Sequence, residues 1–128
     1  MKLDYDFIKQ ILFALENNES HVMQLIDLWN VLKLDENPKN EDKLAGHIRL
    51  IEDNGYINFE SKNSGFTYGI NQMQINGNVK YRLTARGYEF LDILKNDTVF
   101  NKIKNLSLET AFDVGKSMLT TALTNLVQ

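Results

Sequence analysis

The residues with the widest chemical repertoire are few. His21 and His47 are the only imidazoles, and there is no cysteine. Disulfides, thiolate metal sites and cysteine nucleophiles are therefore excluded, and the two histidines have no metal-ligand spacing between them. His21 falls in the first turn of a helix and reads as solvated, whereas His47 flanks an apolar stripe. Asp4 and Asp6 could be an acid pair, but carboxylates at a helix start more often complement its dipole. Gly65, Gly69 and Gly77 are spaced as turns and a bulge, not as a phosphate cradle. No catalytic constellation emerges; the expectation is a non-enzymatic protein with no cofactor, no metal and no small-molecule substrate.

Binding chemistry is the remaining class. The net charge of −3 opposes indiscriminate contact with nucleic acid. Residues 1–60 hold six basic and twelve acidic side chains, a net of −6, and residues 61–128 hold eight and five, a net of +3. Any basic surface thus belongs to the second half. The candidates for phosphate or base contact in duplex DNA are Lys43, His47, Arg49, Lys62, Lys80, Arg82 and Arg86. The first three share the segment Asn40–Asn54, which also carries Glu41, Asp42, Glu52 and Asp53 and has a net charge of −2. That is an unfavourable composition for a helix meant to approach phosphates. The aromatics Tyr56, Phe59, Phe66, Tyr68 and Tyr81 could stack on bases, although alternation on a sheet usually means core. A second candidate surface, for a homodimer or another protein, is the final helix, through Phe112, Gly115, Met118, Leu119, Ala122 and Leu126. Its small residues would permit close helix approach.

These side chains need a scaffold, and periodicity supplies most of it. Asp4 and Asp6 precede Phe7, Ile8, Ile11, Leu12 and Leu15 at helical spacing, and Asn17-Asn18 ends that first helix. Ser20 could cap a second, lined by Val22, Leu25, Ile26, Trp29 and Leu32, although Val22–Leu28 could also run partly extended. Asn40 or Asp42 opens a third, buried along Leu44, Ile48 and Ile51 and closed by Asn54-Gly55. Tyr56–Ser61 reads as a strand, Lys62–Gly65 as a turn, and Phe66–Ile75 as a second strand with a bulge at Gly69. Asn76-Gly77 is a type I′ hairpin signal, returning a third strand on which Val79, Tyr81 and Leu83 share one face. Thr84 caps the next helix by accepting from Arg86 or Gly87, with Gly87, Phe90, Leu91 and Leu94 inward. Asp97 caps a short helix holding Val99, Phe100 and Ile103, and Ser107 caps a last one over Leu108–Val127. The expected fold is α+β and mainly helical. It is a winged helix-turn-helix with a three-stranded antiparallel sheet and wing over residues 1–95, then a C-terminal helical extension over 96–128 that either packs on that domain and completes its core or forms a dimer interface.

Four runs of residues, Met1–Leu15, His47–Ile57, Arg82–Asp92 and Asn96–Lys102, together resemble the domain-of-unknown-function family 2513, short proteins common in phages and mobile elements. Met1–Leu15 is similar to its opening helix, and His47-Ile48-Arg49-Leu50-Ile51 through Gly55-Tyr56-Ile57 to its His-Ile-x-Leu-Leu run. Arg82-Leu83-Thr84-Ala85-Arg86-Gly87-Tyr88-Glu89-Phe90-Leu91-Asp92 is similar to its Arg-Leu-Thr-Trp-x-Gly-His-x-Phe-Leu-Asp motif, and Asn96–Lys102 to the run that follows. Ala85, Tyr88 and Phe100 depart from the family's Trp, His and second Trp, so any surface those residues form is altered here. The stretch 20–40 is longer than the family's link. The resemblance implies a winged-helix-like fold and a phage-type setting, and no mechanism.

With no apolar leader at the N-terminus and no apolar run of spanning length, the expected location is the cytoplasm, with no membrane partner. Two functions are then expected: a DNA-binding transcriptional regulator first, and a protein-interaction module without DNA binding as the alternative.

Overall fold

Asp4 begins the architecture by accepting a hydrogen bond from Phe7 N at 3.0 Å, which starts helix α1 (Tyr5–Asn17). The chain is described by a computed structural model at residues 1–70 and 72–127. Strand β1 (Met23–Gln24) and helix α2 (Leu25–Leu32) follow, then helix α3 (Pro38–Asp53) and strand β2 (Ile57–Phe59). A short hairpin, β3 (Phe66–Tyr68) and β4 (Met73–Ile75), precedes strand β5 (Lys80–Leu83). Helices α4 (Ala85–Lys95), α5 (Asp97–Ile103) and α6 (Leu108–Val127) complete the order. The protein is α+β and mostly helical, with six helices among the described residues.

The three-stranded antiparallel sheet exists, but with a different membership from that expected. Its order is β1-β5-β2, with Met23 opposite Tyr81 and Ile57 opposite Leu83. The segment Phe66–Ile75 does not join it. It folds back on itself, Phe66 opposite Ile75 and Gly69 N bonded to Gln72 O at 2.8 Å, so Gly69 sits in a turn and not a bulge. Asn76-Gly77 likewise forms no type I′ turn, since neither residue has a positive φ. Gly77 O and Val79 O instead accept from Ile26 N and Leu25 N at 3.0 and 2.8 Å, satisfying amide donors that α2 would otherwise leave bare. That contact explains why α2 lacks a side-chain cap and why Ser20 is not one.

Other boundaries shift for local reasons. Helix α3 starts earlier than Asn40, because Pro38 occupies its first turn and Asn37 accepts from Asn40 N at 2.8 Å. Its end is as read: Gly55 adopts φ +79°, with Tyr56 N to Ile51 O and Gly55 N to Glu52 O both at 2.9 Å. Asn96, not Asp97, caps α5 through Val99 N. Ser107 does cap α6, accepting from Thr110 N.

The core lies where α1, α3, α4 and the inner face of the sheet meet. Ile8, Ile11, Leu12, Leu44, Ile48, Ile51, Tyr81, Phe90 and Leu91 are fully buried there. Thr84 closes the corner between β5 and α4: its hydroxyl donates to Gly55 O and accepts from Gly87 N. Its own amide donates to Tyr56 O at 3.1 Å. Helices α5 and α6 continue the same core, burying Val99, Ile103, Leu108, Ala111 and Phe112. No helix of the described residues is long and apolar enough to cross a membrane.

Candidate interaction surface

The cations that sequence reading grouped as DNA contacts are mostly engaged within the protein. Lys43 pairs with Asp4 at 2.9 Å and lies 4.6 Å from the centre of the Phe7 ring. That hydrogen bond, with the Phe7 amide and the nearby charges, outweighs partial burial and holds the Asp4 carboxyl below its usual range. His47 is fully buried. Its Nδ1 lies 2.7 Å from Lys43 O and its Nε2 accepts from Asp4 N at 3.0 Å, with Phe7 edge-on to the ring. This imidazole clasps the N-terminal segment to α3 and offers nothing to a groove, so its place among the DNA contacts is corrected. Burial lowers its pKa.

Arg86 is committed too. Its Nε donates to Asn54 O at the end of α3 at 3.1 Å, and its guanidinium lies 3.7 Å from the centre of Phe112. Arg82 pairs with Glu60 at 3.1 Å. Arg49 is exposed, yet it donates to Phe66 O at 3.1 Å and sits over Tyr68 at 5.2 Å, pinning the hairpin to α3. Lys62 and Lys80 are exposed and have no ion pair among the described residues.

What the fold does assemble is a cleft of about 540 Å³ between α3 and the hairpin. Arg49, Glu52 and Asp53 line it from the helix side, and Phe59, Thr67 and Tyr68 from the other. Glu52 and Asp53 have no cationic partner within 4.0 Å among the described residues, so the cleft has an acidic wall facing an aromatic one. The connection above it, residues 63–79, contains no charged side chain. Tyr68, Ile70 and Ile75 are exposed on it, Ile70 completely. The single strand expected over Phe66–Ile75 is instead this hairpin, and a continuous strand would leave no such cleft. The uncharged run between Lys62 and Lys80 was the available signal.

The α6 candidates divide between core and surface. Phe112 stacks near Tyr56 and Phe90 and is buried. Gly115 is buried against α4, since a Cβ there would lie 2.4 Å from Ile93 Cγ2. Met118 and Leu119 are half-buried and Ala122 is exposed; the side chain of Leu126 lies outside the described residues. Two of the departures from the family motif, Ala85 and Tyr88, are exposed on α4. A second hollow of about 570 Å³ lies beside the N-terminal segment, with Lys39, Lys104, Asp6 and Phe100 among its lining residues and both charge signs present. Among the described residues no three His, Asp or Glu side chains group as metal ligands.

The family model described as "Hypothetical protein (DUF2513)" matches residues 2–113, and the chain belongs to that family. A protein of Haemophilus influenzae described as "Uncharacterized protein" is 27% identical over 132 residues, covering 99% of each chain. No solved structure matches the chain.

Proposed function

We propose that this family member is a winged-helix protein that works by binding, and that its partner is another protein. Support for the winged helix comes from the element order, in which a strand separates the first two helices and a long connection joins β2 to β5. The return of β5 between β1 and β2 supports it as well. On that scaffold α3 stands where a reading helix would, and the hairpin-bearing connection is the wing.

One observation carries the choice of a protein partner. The surface where α3 meets the wing offers two carboxylates with no ion pair among the described residues, one arginine engaged with the hairpin, and uncharged, partly apolar side chains, whereas duplex DNA presents phosphates that dominate affinity. Four of the seven candidate cations are withdrawn: Lys43 and Arg82 into ion pairs, Arg86 onto α3 and Phe112, and His47 into the core. A cytoplasmic setting in a phage or mobile element belongs to the same proposal.

DNA binding remains the second reading, favoured by Lys62 and Lys80 at the base of the wing, which have no ion pair among the described residues. The test is a fluorescence-anisotropy titration with a labelled mixed-sequence duplex at low salt. The expected result is no binding at roughly tens of micromolar, a range in which non-specific DNA binders are engaged. Saturable binding that is lost in a folded Lys62→Ala, Lys80→Ala variant would overturn the protein-partner reading.

A further inference from the structure

We infer that the cleft between α3 and the hairpin is the docking site, and that its occupant is a basic segment of a partner protein in which arginine or lysine alternates with apolar residues. This rests on the protein-binding reading above and specifies the chemistry of the partner.

Charge complementarity carries the choice of occupant. Glu52 and Asp53 line the cleft with no ion pair among the described residues, although Arg49 lines it beside them. Arg49 is turned to the Phe66 carbonyl and the Tyr68 ring, so its guanidinium fastens the hairpin and leaves the two carboxylates for an incoming cation. A guanidinium meets a carboxylate through two parallel hydrogen bonds. Its aliphatic stem can at the same time lie along an aromatic face, and Phe59 and Tyr68 stand on the facing wall. Beyond the cleft, Ile70 and Ile75 are exposed on a connection without charge. They belong to the same hairpin-bearing connection as the lining residues Phe66 and Tyr68, Ile75 lying opposite Phe66, so this connection offers apolar side chains to a segment that alternates basic and apolar residues. Phosphate-bearing partners meet the same carboxylates with the wrong sign. A second copy of this chain carries a net charge of −3, so the approach of two copies is opposed overall, whereas a basic segment is drawn in.

The probe is a fluorescein-labelled peptide of Arg-Leu-Ser repeats, with a peptide of Glu-Leu-Ser repeats as its counterpart, each titrated with the full chain. The arginine peptide is expected to bind saturably and the glutamate peptide not to bind. Glu52→Lys with Asp53→Lys should weaken binding by at least about tenfold, and Tyr68→Ser should weaken it as well. Glu19→Lys with Asp35→Lys makes the same change in net charge at exposed positions outside the cleft and should alter affinity by less than about twofold. Thermal melts of the variants establish that each is folded. Equal weakening by both charge pairs would reduce the effect to overall charge and overturn the proposal, as would equal binding of the glutamate peptide. Absence of arginine-peptide binding at roughly 100 μM would also overturn it. If the duplex titration is negative as well, that outcome removes the cleft while leaving a protein partner elsewhere on the surface.

Discussion

His47 is a basic side chain that the fold keeps neutral. Its two ring nitrogens face a backbone acceptor, Lys43 O, and a backbone donor, Asp4 N. Only the tautomer with hydrogen on Nδ1 satisfies both. A second proton on Nε2 would point at the Asp4 amide, beside the ammonium of Lys43 and the carboxylate of Asp4. Burial sets the direction, lowering the folded pKa below the ordinary value of 6.5, and the Lys43 carbonyl and Asp4 charge only partly oppose it. The unfolded chain then takes up its proton first as pH falls, so this site's stability is fully present above about pH 6.5 and declines below it until the folded pKa is reached. Urea midpoints measured from about pH 7 to 5 should therefore fall. A His47→Gln variant, less stable throughout, should show a shallower fall over that window. A slope identical to that of the parent would remove His47 as its source. The sequence placed His47 beside the core stripe and also among DNA contacts. Its partner Asp4 lies 43 residues away, and nothing local distinguishes a clasp from a contact.

In α2 the buried face differs from that expected, Ile26 being exposed and Leu28 buried, but helices α1, α3 and α4 were legible because each buries one stripe at regular spacing, inward as read. The strands were not, because they are two to four residues long and hold too few alternations to report a face. Only Val79, Tyr81 and Leu83 formed a long enough pattern, and they are buried as expected. Asn76-Gly77 misled for a different reason: the carbonyls of this return are used to cap α2, a demand that a turn motif does not encode. The corner into α4 is where local sequence and tertiary packing agree best. A Cβ at Gly87 would lie 2.0 Å from Tyr56 O, a backbone atom that also receives the Thr84 amide. Gly87→Ala must therefore push α4 away from the start of β2. Its cost should reach about 3 kcal/mol, the upper part of the usual overpacking range, despite alanine's better helix propensity. Urea denaturation measures it; a loss of less than about 0.5 kcal/mol, the size of an ordinary surface change, would mean the corner is looser than its geometry indicates.

At the scale of the molecule, the helices that follow residue 95 share one core with the residues before it. Tyr56 stacks on Phe90 with ring centres 4.3 Å apart, and Phe112 of α6 lies 6.0 Å from Tyr56 on the same cluster. The Tyr56 hydroxyl donates to Leu108 O at 3.1 Å, and the Tyr5 hydroxyl to Leu106 O at 2.6 Å. Burial pushes both phenols up to about 12, keeping them neutral donors across the working range. A chain ending at Lys95 would bare Tyr56 and Phe90, strand both hydroxyls and lose Val99, Ile103, Leu108, Ala111 and Phe112 from the core. At about 1.5–3 kcal/mol for each fully buried large apolar side chain, that loss approaches the whole stability of an ordinary domain, about 5–15 kcal/mol. Residues 1–95 alone should therefore give no cooperative urea transition. In the full chain, Trp29 fluorescence from α2 and far-ultraviolet circular dichroism from all six helices should report one coincident transition. A truncated chain that unfolds sigmoidally, or two separated transitions in the full one, would show that the C-terminal helices are an appendage and not the closing wall of a single core.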